Sequence, residues 1–392
     1  MRSIKNVKNL NGKKILLRLD LNVPLKNKII SDTTRIDKII PTLKFLNNYD
    51  SKIIILSHIG RPKGKIVNEL SLKPIVGELE KKLKEKVKLI KSNIFKIPNK
   101  EYFDSINERI IILENIRYYP EEEKNDKKFA KHLAGLGDIY VNDAFSCSHR
   151  SHASISEICK FIPSYSGFQL DLEIDALSKI TSEIIRPITC IIGGSKISTK
   201  INVIKNLIPK FDNIVIVGAM ANNIIKYMGN DIGKSLSEKN SDEIVKEIIL
   251  LSTKTKCNLV YPEDVVVAEN KNGSAKIKEI QYISPNEMIL DIGPKTVKNI
   301  IKVIDFSSTI LWNGPAGYFE NSNFANGSIE IAKRIIENKI ANKIFSVAGG
   351  GDTVSLINSL NAVNNFNFVS TAGGAFLEYL EGKELPGITA LR

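Results

Sequence analysis

Short runs of Ile, Val and Leu recur along this chain. Each gives way to a polar or glycine-rich stretch and then to a segment with helical spacing of apolar residues. In the first half the runs fall at 14–19, 53–56, 110–113 and 139–141. In the second they fall at 188–192, 214–217, 265–268, 310–312, 344–348 and 366–369. A strand with helices over both faces has no solvent side to keep polar, so continuous β-branched runs alternating with helices predict buried parallel strands. Such alternation winds into open sheets, and there are two sets of it, divided near 165–190. The stretch 169–185 reads as one helix, stopped at Arg186-Pro187 because a residue before proline resists the helical conformation. The expected architecture is α/β: two doubly wound parallel-sheet, Rossmann-like domains joined by a hinge helix. Their spans are 1–168 and 187–376, with 169–186 as the link.

Composition narrows the classes without choosing among them. A chain of 392 residues exceeds one ordinary core, and 43% hydrophobic with 25% charged residues is globular rather than disordered. Residues 1–14 are polar and basic, unlike a secretory signal, and the apolar runs are far too short to span a membrane. Cys147, Cys159, Cys190 and Cys257 are scattered, without metal-type spacing, and read as free thiols of a cytoplasmic protein. The formal charge of +13 admits nucleic acid, membrane surface or anionic metabolites. Lysine runs such as 81–86 sit on an amphipathic helical pattern and read as a solvated face.

In open parallel sheets ligands bind beyond the carboxyl ends of the strands. There the two halves differ. The first offers Arg18, Asp20, Leu21 and Asn22; then His58, Ile59, Gly60 and Arg61; then Arg117; then His149 and Arg150. Arg35 opens the helical pattern after the first of these loops. Only ten arginines occur in the chain, and none lies between Arg186 and Arg334. Because a guanidinium forks onto two anionic oxygens as lysine cannot, five of them in one half point to a small polyanion. His149 and His152 lack a nearby third ligand, so a metal is not expected there. The second half offers Gly193-Gly194-Ser195-Lys196, Gly218, Asn313-Gly314-Pro315, Gly349-Gly350-Gly351-Asp352-Thr353 and Gly373-Gly374. Glycine lets backbone amides approach phosphate, and a following helix N-terminus adds free N–H groups. Lys196 and Lys200, four apart at an expected helix start, are read as sharing one face toward the phosphates. Asp352 is placed to hold Mg²⁺. A P-loop, a dinucleotide fingerprint, a protein-kinase catalytic loop and RNA-binding signatures are all missing from the sequence.

Taken together, these loops resemble the phosphoglycerate kinase family over essentially the whole chain. The resemblance is carried by Arg18-Leu-Asp-Leu-Asn-Val-Pro24, Ser57-His-Ile-Gly-Arg-Pro62, Leu113-Glu-Asn-Ile-Arg117 and Asn142-Asp-Ala-Phe145 with His149-Arg150. It continues through Gly193-Gly-Ser-Lys196, Leu290-Asp-Ile-Gly-Pro294, Trp312-Asn-Gly-Pro315, Gly349-Gly-Gly-Asp-Thr353 and Leu380-Glu-Gly-Lys-Glu-Leu-Pro-Gly387. It implies reversible transfer between 1,3-bisphosphoglycerate with ADP and 3-phosphoglycerate with ATP, in glycolysis and gluconeogenesis. Arg18, Asp20, Leu21, Asn22, Arg35, His58, Ile59, Gly60, Arg61, Arg117 and Arg150 would hold the phosphoglycerate. Gly194, Lys196, Lys200, Gly218, Asn313, Pro315, Glu320 and Gly349 to Thr353 would hold ATP or ADP, with Asp352 on Mg²⁺. The resemblance also implies that 377–392 returns to the first domain. Partners are then small molecules, without nucleic acid or membrane, and the chain a monomer.

Some positions depart from the family pattern. Ser146-Cys147-Ser148 stands for Gly-Thr-Ala, Thr199 for Asp, Ala219 and Ala372 for glycines, and Phe376 for serine. None removes a charge from the expected site. Since the acceptor is a carboxylate, already ionised, no general base is required. Catalysis reduces to positioning and charge neutralisation by Arg35, Lys196, Lys200, Mg²⁺ and amides near Gly373 and Gly374, with closure of the two domains. Three rivals stay open: a kinase of like build acting on another carboxylate or sugar phosphate, a nucleic-acid binder using the +13 charge, and a degenerate homologue kept for binding.

Overall fold

The apolar runs become the interior of two six-stranded parallel sheets. The first runs Val87–Ile90, Ile110–Leu113, Lys52–Leu56, Lys14–Leu19, Ile139–Asp143, Ser164–Ser166. The second runs Asn258–Val260, Asn213–Ile216, Ile188–Ile192, Thr309–Asn313, Phe345–Gly349, Phe368–Ser370. The computed structural model describes residues 1–26 and 29–392. Two units emerge, Met1–Asp175 with Glu384–Arg392, and Ala176–Lys383.

Strand alternation divides the core of the first unit. Ile15, Leu17, Leu19, Ile53, Ile55, Ile110 and Ile112 pack into one hydrophobic cluster, while Leu16, Ile54, Leu56, Ile111, Leu113 and Tyr140 pack into another. Each strand therefore buries both faces, which is why its sequence shows no polar alternation. In the second unit Trp312 is fully buried and stacks on Phe366 at 6.2 Å within a cluster that includes Ile191, Val215 and Ile310.

Strands absent from the sequence reading lie at sheet edges. Val87–Ile90 and Asn258–Val260 each pair on one side only, and Ser164–Ser166 has on its outer side just a single bridge from Ser166 to Ser3. Polar residues such as Lys88, Asn258, Ser164 and Ser166 interrupt their apolar signal.

The run at 265–268 is corrected in direction. Asp264–Ala268 is the centre of a separate antiparallel sheet between Lys276–Glu279 and Met288–Ile292. The loop 269–275 is too short for the helical crossover that a parallel return requires.

The helix expected over 169–185 spans Phe168–Thr181. The helix Gly373–Leu380 stays with the second unit, where Asn206 Nδ2 donates to Leu380 O at 2.7 Å. Only Glu384–Arg392 joins the first unit, and the Gly387 amide donates to Ser148 O there at 2.8 Å.

Candidate active site

Both sheets have a point where the chain order of their strands reverses. It falls between Lys14–Leu19 and Ile139–Asp143 in the first, and between Ile188–Ile192 and Thr309–Asn313 in the second. Crevices at such points are where ligands settle.

Arg18 is the next-to-last residue of its central strand, in register with Leu56 and Asn142 of the neighbours. Its side chain is fully buried. Nε donates to Ser154 Oγ at 3.0 Å and Nη2 to His58 Nδ1 at 3.2 Å. Ser154 gives its hydroxyl and amide to the two oxygens of buried Glu122, at 2.6 and 2.9 Å. A guanidinium cannot accept, so His58 Nδ1 must, and the ring proton resides on Nε2. Burial, then the charges of Arg18, Arg117 and Arg35, drives the His58 pKa well below its ordinary value. His58 is therefore a neutral N–H donor.

A second chain of contacts begins at Asp20. It pairs with Arg35 Nη1 at 3.0 Å and accepts from Ser146 Oγ and from the Asn22 amide at 3.0 Å. Arg35 Nη1 also donates to Asn22 O at 2.9 Å, and Asn22 Oδ1 accepts from the Gly60 amide at 2.8 Å. Gly60 O accepts from Arg117 Nη1 at 3.0 Å. The φ of +64° at Gly60 is one that a side chain would strain. Leu21 and Ile59 bury their side chains in the core, so only their main chains can face a ligand.

Arg117 is buried, and its Nε lies 3.6 Å from Glu123 without a hydrogen-bond partner. Burial lowers its pKa, with Arg18 and Arg150 adding to the effect and Cys147 and Glu123 opposing it. His152 is pushed down to about 3 by burial and by the same arginines. Burial also pushes the Glu122 carboxyl up, against the pull of Arg18 and Ser154. Arg18, Arg35, Arg117 and Arg150 thus gather against Asp20, Glu122 and Glu123, of which Glu122 is pushed toward its neutral form. Arg150 is half-buried and coupled to the group by charge, whereas Arg61 is exposed and outside its hydrogen bonds.

Asp20, His58 and Cys147 bring possible metal-donor atoms within 4.8 Å of one another. Their capacity is already used, however: Asp20 by Arg35, Ser146 and Asn22, His58 Nδ1 by Arg18. Cys147 Sγ lies 3.9 Å from Arg18 Nη2. These surroundings suit an anion rather than a cation.

In the second unit, glycine loops converge where Gly193 follows Ile188–Ile192 and Gly314 follows Thr309–Asn313. A Cβ on Gly193 would fall 2.9 Å from Gly314 O, so the two loops can approach only without side chains. Lys200 Nζ donates to Asn313 Oδ1 and lies 3.3 Å from Asn313 O. Asn313 Nδ2 donates to Gly349 O at 2.7 Å, and the Gly314 amide to Thr353 Oγ1 at 2.6 Å. Burial lowers the Lys200 pKa to about 8, with Cys190 and Asp352 pulling the other way. The helix Gly351–Ser359 carries Asp352 in its first turn, where backbone amides have no partner within the helix. Gly373 and Gly374 begin the helix Gly373–Leu380 after the edge strand Phe368–Ser370.

The expectation that Lys196 and Lys200 share a helix face is corrected. The helix begins at Ile201, and 196–200 is an irregular turn in which Thr199 Oγ1 donates to Lys196 O at 2.9 Å. Lys196 is exposed while Lys200 is largely covered. Ala372 has φ −97°, which any residue adopts, so its methyl introduces no backbone strain.

A cavity of about 210 Å³ adjoins these loops, lined by Gly194, Gly218, Ala219, Pro315, Glu320 and Asp352. Its apolar wall comes from Leu236, Val265, Met288, Leu290, Tyr318 and Phe319, none of which was expected to line a ligand site. They belong largely to the antiparallel sheet and its neighbours, whose direction the apolar pattern could not convey. Glu122 and Ser154 were equally invisible, since nothing local marks a contact 136 residues from Arg18.

A sequence model described as phosphoglycerate kinase matches residues 4–383. The phosphoglycerate kinase of Wolbachia sp. subsp. Brugia malayi (strain TRS) is 45% identical over 396 residues, spanning 100% of this chain and 99% of that one. Among solved structures, phosphoglycerate kinase from Coxiella burnetii superposes with a TM-score of 0.90 at 36% identity, covering 99% of this chain and 98% of the other. The enzyme from Pyrococcus horikoshii OT3 does so with a TM-score of 0.83 at 27% identity, covering 100% and 98%.

Proposed function

Because this chain belongs to the phosphoglycerate kinase family, which moves a phosphoryl group between 1,3-bisphosphoglycerate with ADP and 3-phosphoglycerate with ATP, we propose that its two loop clusters divide that reaction between them. The arginine cluster binds the phosphoglycerate and the glycine loops bind the nucleotide. The observation that carries this reading is the buried Arg117 Nε–H, left without an acceptor beside a neutral His58 and three further guanidinium groups. An unsatisfied buried donor is costly, and an anionic oxygen relieves it.

The acceptor of the phosphoryl group is a carboxylate that is ionised at neutral pH, so no side chain has to remove a proton. Arg18, Asp20, Asn22, His58, Arg61, Arg117 and Arg150 hold and orient the phosphoglycerate, Asp20 and Asn22 partly by fixing Arg35 and Gly60. Leu21, Ile59 and Gly60 contribute main-chain groups. Arg35, Lys196, Lys200 and the amides of Gly373 and Gly374 neutralise charge on the transferring group. Gly194, Gly218, Asn313, Pro315, Glu320 and Gly349 to Thr353 seat the nucleotide. Asp352, an exposed carboxylate lining the cavity at a helix start, suits Mg²⁺ bound with the phosphates. Once bound, the ion would offset phosphate charge. A monomer working in the cytoplasm completes the proposal, in keeping with four free cysteines.

The test is turnover of ATP with 3-phosphoglycerate, acetate or aspartate, each with Mg²⁺ and with excess chelator. Turnover confined to 3-phosphoglycerate with Mg²⁺ is expected. Equal rates with acetate or aspartate, or indifference to the chelator, would overturn the assignment.

A further inference from the structure

We propose that Phe376 is a positioning residue: its ring fixes the Gly349 peptide, through which Asn313 orients the Lys200 ammonium. This rests on reading Lys200 and Asn313 as nucleotide-site groups. Phe376 is fully buried in the helix Gly373–Leu380. A Cβ built on Gly349 would fall 2.6 Å from Phe376 Cε1 and 2.7 Å from Cζ, so the ring fills the space a side chain would occupy there.

Gly349 to Gly351 are three successive glycines with no side chains to hold them in place. Glycine has the widest backbone freedom of any residue, and although Gly349 closes the strand Phe345–Gly349 in register with Ser370, its outer end needs packing to hold it. The Phe376 ring is that packing on Gly349. The Gly349 carbonyl then receives Asn313 Nδ2 at 2.7 Å. With Nδ2 committed, Oδ1 is the end of the amide that receives Lys200 Nζ. The contacts run from a ring without chemistry of its own to the cation at the reacting phosphates.

Lys200 offers a readout that simple loss of stability would not move. Its pKa is depressed to about 8 by burial, and the titratable groups facing it are Cys190 on the strand Ile188–Ile192 and Asp352 on the helix Gly351–Ser359. Loosening Asn313 removes an acceptor that favours the charged amine, so Lys200 should lose its proton at lower pH.

The experiment measures kcat, KM and the alkaline limb of the pH profile for Phe376→Ala, Phe376→Leu and Gly349→Ala, and for Phe376→Ala combined with Gly349→Ala. Thermal unfolding is followed alongside. Phe376→Ala is expected to lower kcat about 10- to 100-fold, the scale of a small misplacement at a reacting centre. The alkaline limb should move to lower pH while KM for 3-phosphoglycerate stays unchanged. Phe376→Leu, which keeps most of the bulk, should recover most of both. Gly349→Ala should be much less damaging once Phe376→Ala has made room for the methyl.

A folded Phe376→Ala with normal kcat and pH profile overturns the inference, and so do losses that simply multiply in the double variant. If Phe376→Ala does not fold, Phe376→Leu with and without Gly349→Ala decides by the same coupling. Lys200→Met separates the two levels. Normal turnover in that variant sinks the site reading itself, whereas an inactive Lys200→Met beside an unaffected Phe376→Ala sinks only the role of Phe376.

Discussion

The hydrogen bond from Arg18 to His58 Nδ1 decides where the His58 ring proton sits in the proposed phosphoglycerate site. With that nitrogen occupied and the ring held neutral, Nε2–H is left as a donor that keeps its proton across the physiological range. Arg35 differs in kind. Its side chain is 30% exposed, and its Nη1 is held by Asp20 at 3.0 Å and by Asn22 O at 2.9 Å. Removing it takes a cation from the site while Asp20 keeps Ser146 Oγ and the Asn22 amide as donors. Arg35→Ala should therefore lower turnover roughly 10²–10³-fold, as loss of one charge-stabilising donor does, with an unchanged circular dichroism spectrum. Near-normal turnover would remove Arg35 from the neutralising set.

At the scale of elements, both units solve one problem in the same way: a helix preceded by glycine has no side chain at that position to cap its amides. In the first, Asp143 at the end of the strand Ile139–Asp143 accepts from the Leu170 amide at 2.9 Å, beside Gly167 and the start of Phe168–Thr181. In the second, Asp264 caps the helix Pro294–Asp305. Its carboxylate accepts from the Lys295 amide at 3.0 Å, and from the Thr296 amide and hydroxyl at 2.7 Å each. That contact also ties the helix to the antiparallel sheet that helps line the cavity proposed for the nucleotide. Asp264→Ala should cost about 2 kcal/mol, as lost caps and unpaired buried amides do. For a unit of this size the unfolding midpoint should fall by roughly 4–8 °C. Scanning calorimetry would reveal this, and an unmoved midpoint would mean the helix needs no cap from Asp264. The capping was not legible in advance. Val265–Ala268 announced a strand, but its antiparallel direction and the partner of Asp264 depend on a return loop and on a helix about thirty residues away.

At the scale of the whole molecule, the residues we propose for the nucleotide and for the phosphoglycerate belong to two compact units, and on that proposal in-line transfer requires them to meet. Closure would also keep water from a reactive acyl phosphate. Small-angle scattering with both substrates together should give a smaller radius of gyration than with either alone. The same value in all three conditions would count against closure.

The positions of the interior strands, though not the direction of the one at 265–268, and the allotment of arginine loops to one half and glycine loops to the other, follow from the sequence alone. Periodicity and residue type are local properties, and a strand buried on both faces advertises itself in every residue. Edge strands such as Val87–Ile90 do not. The neutrality of His58, the lowered pKa of Lys200, the stranded Nε of Arg117 and the ring of Phe376 against Gly349 were decided only by tertiary structure. Each depends on desolvation, or on a partner brought from far along the chain, and neither is written into a residue's immediate neighbours.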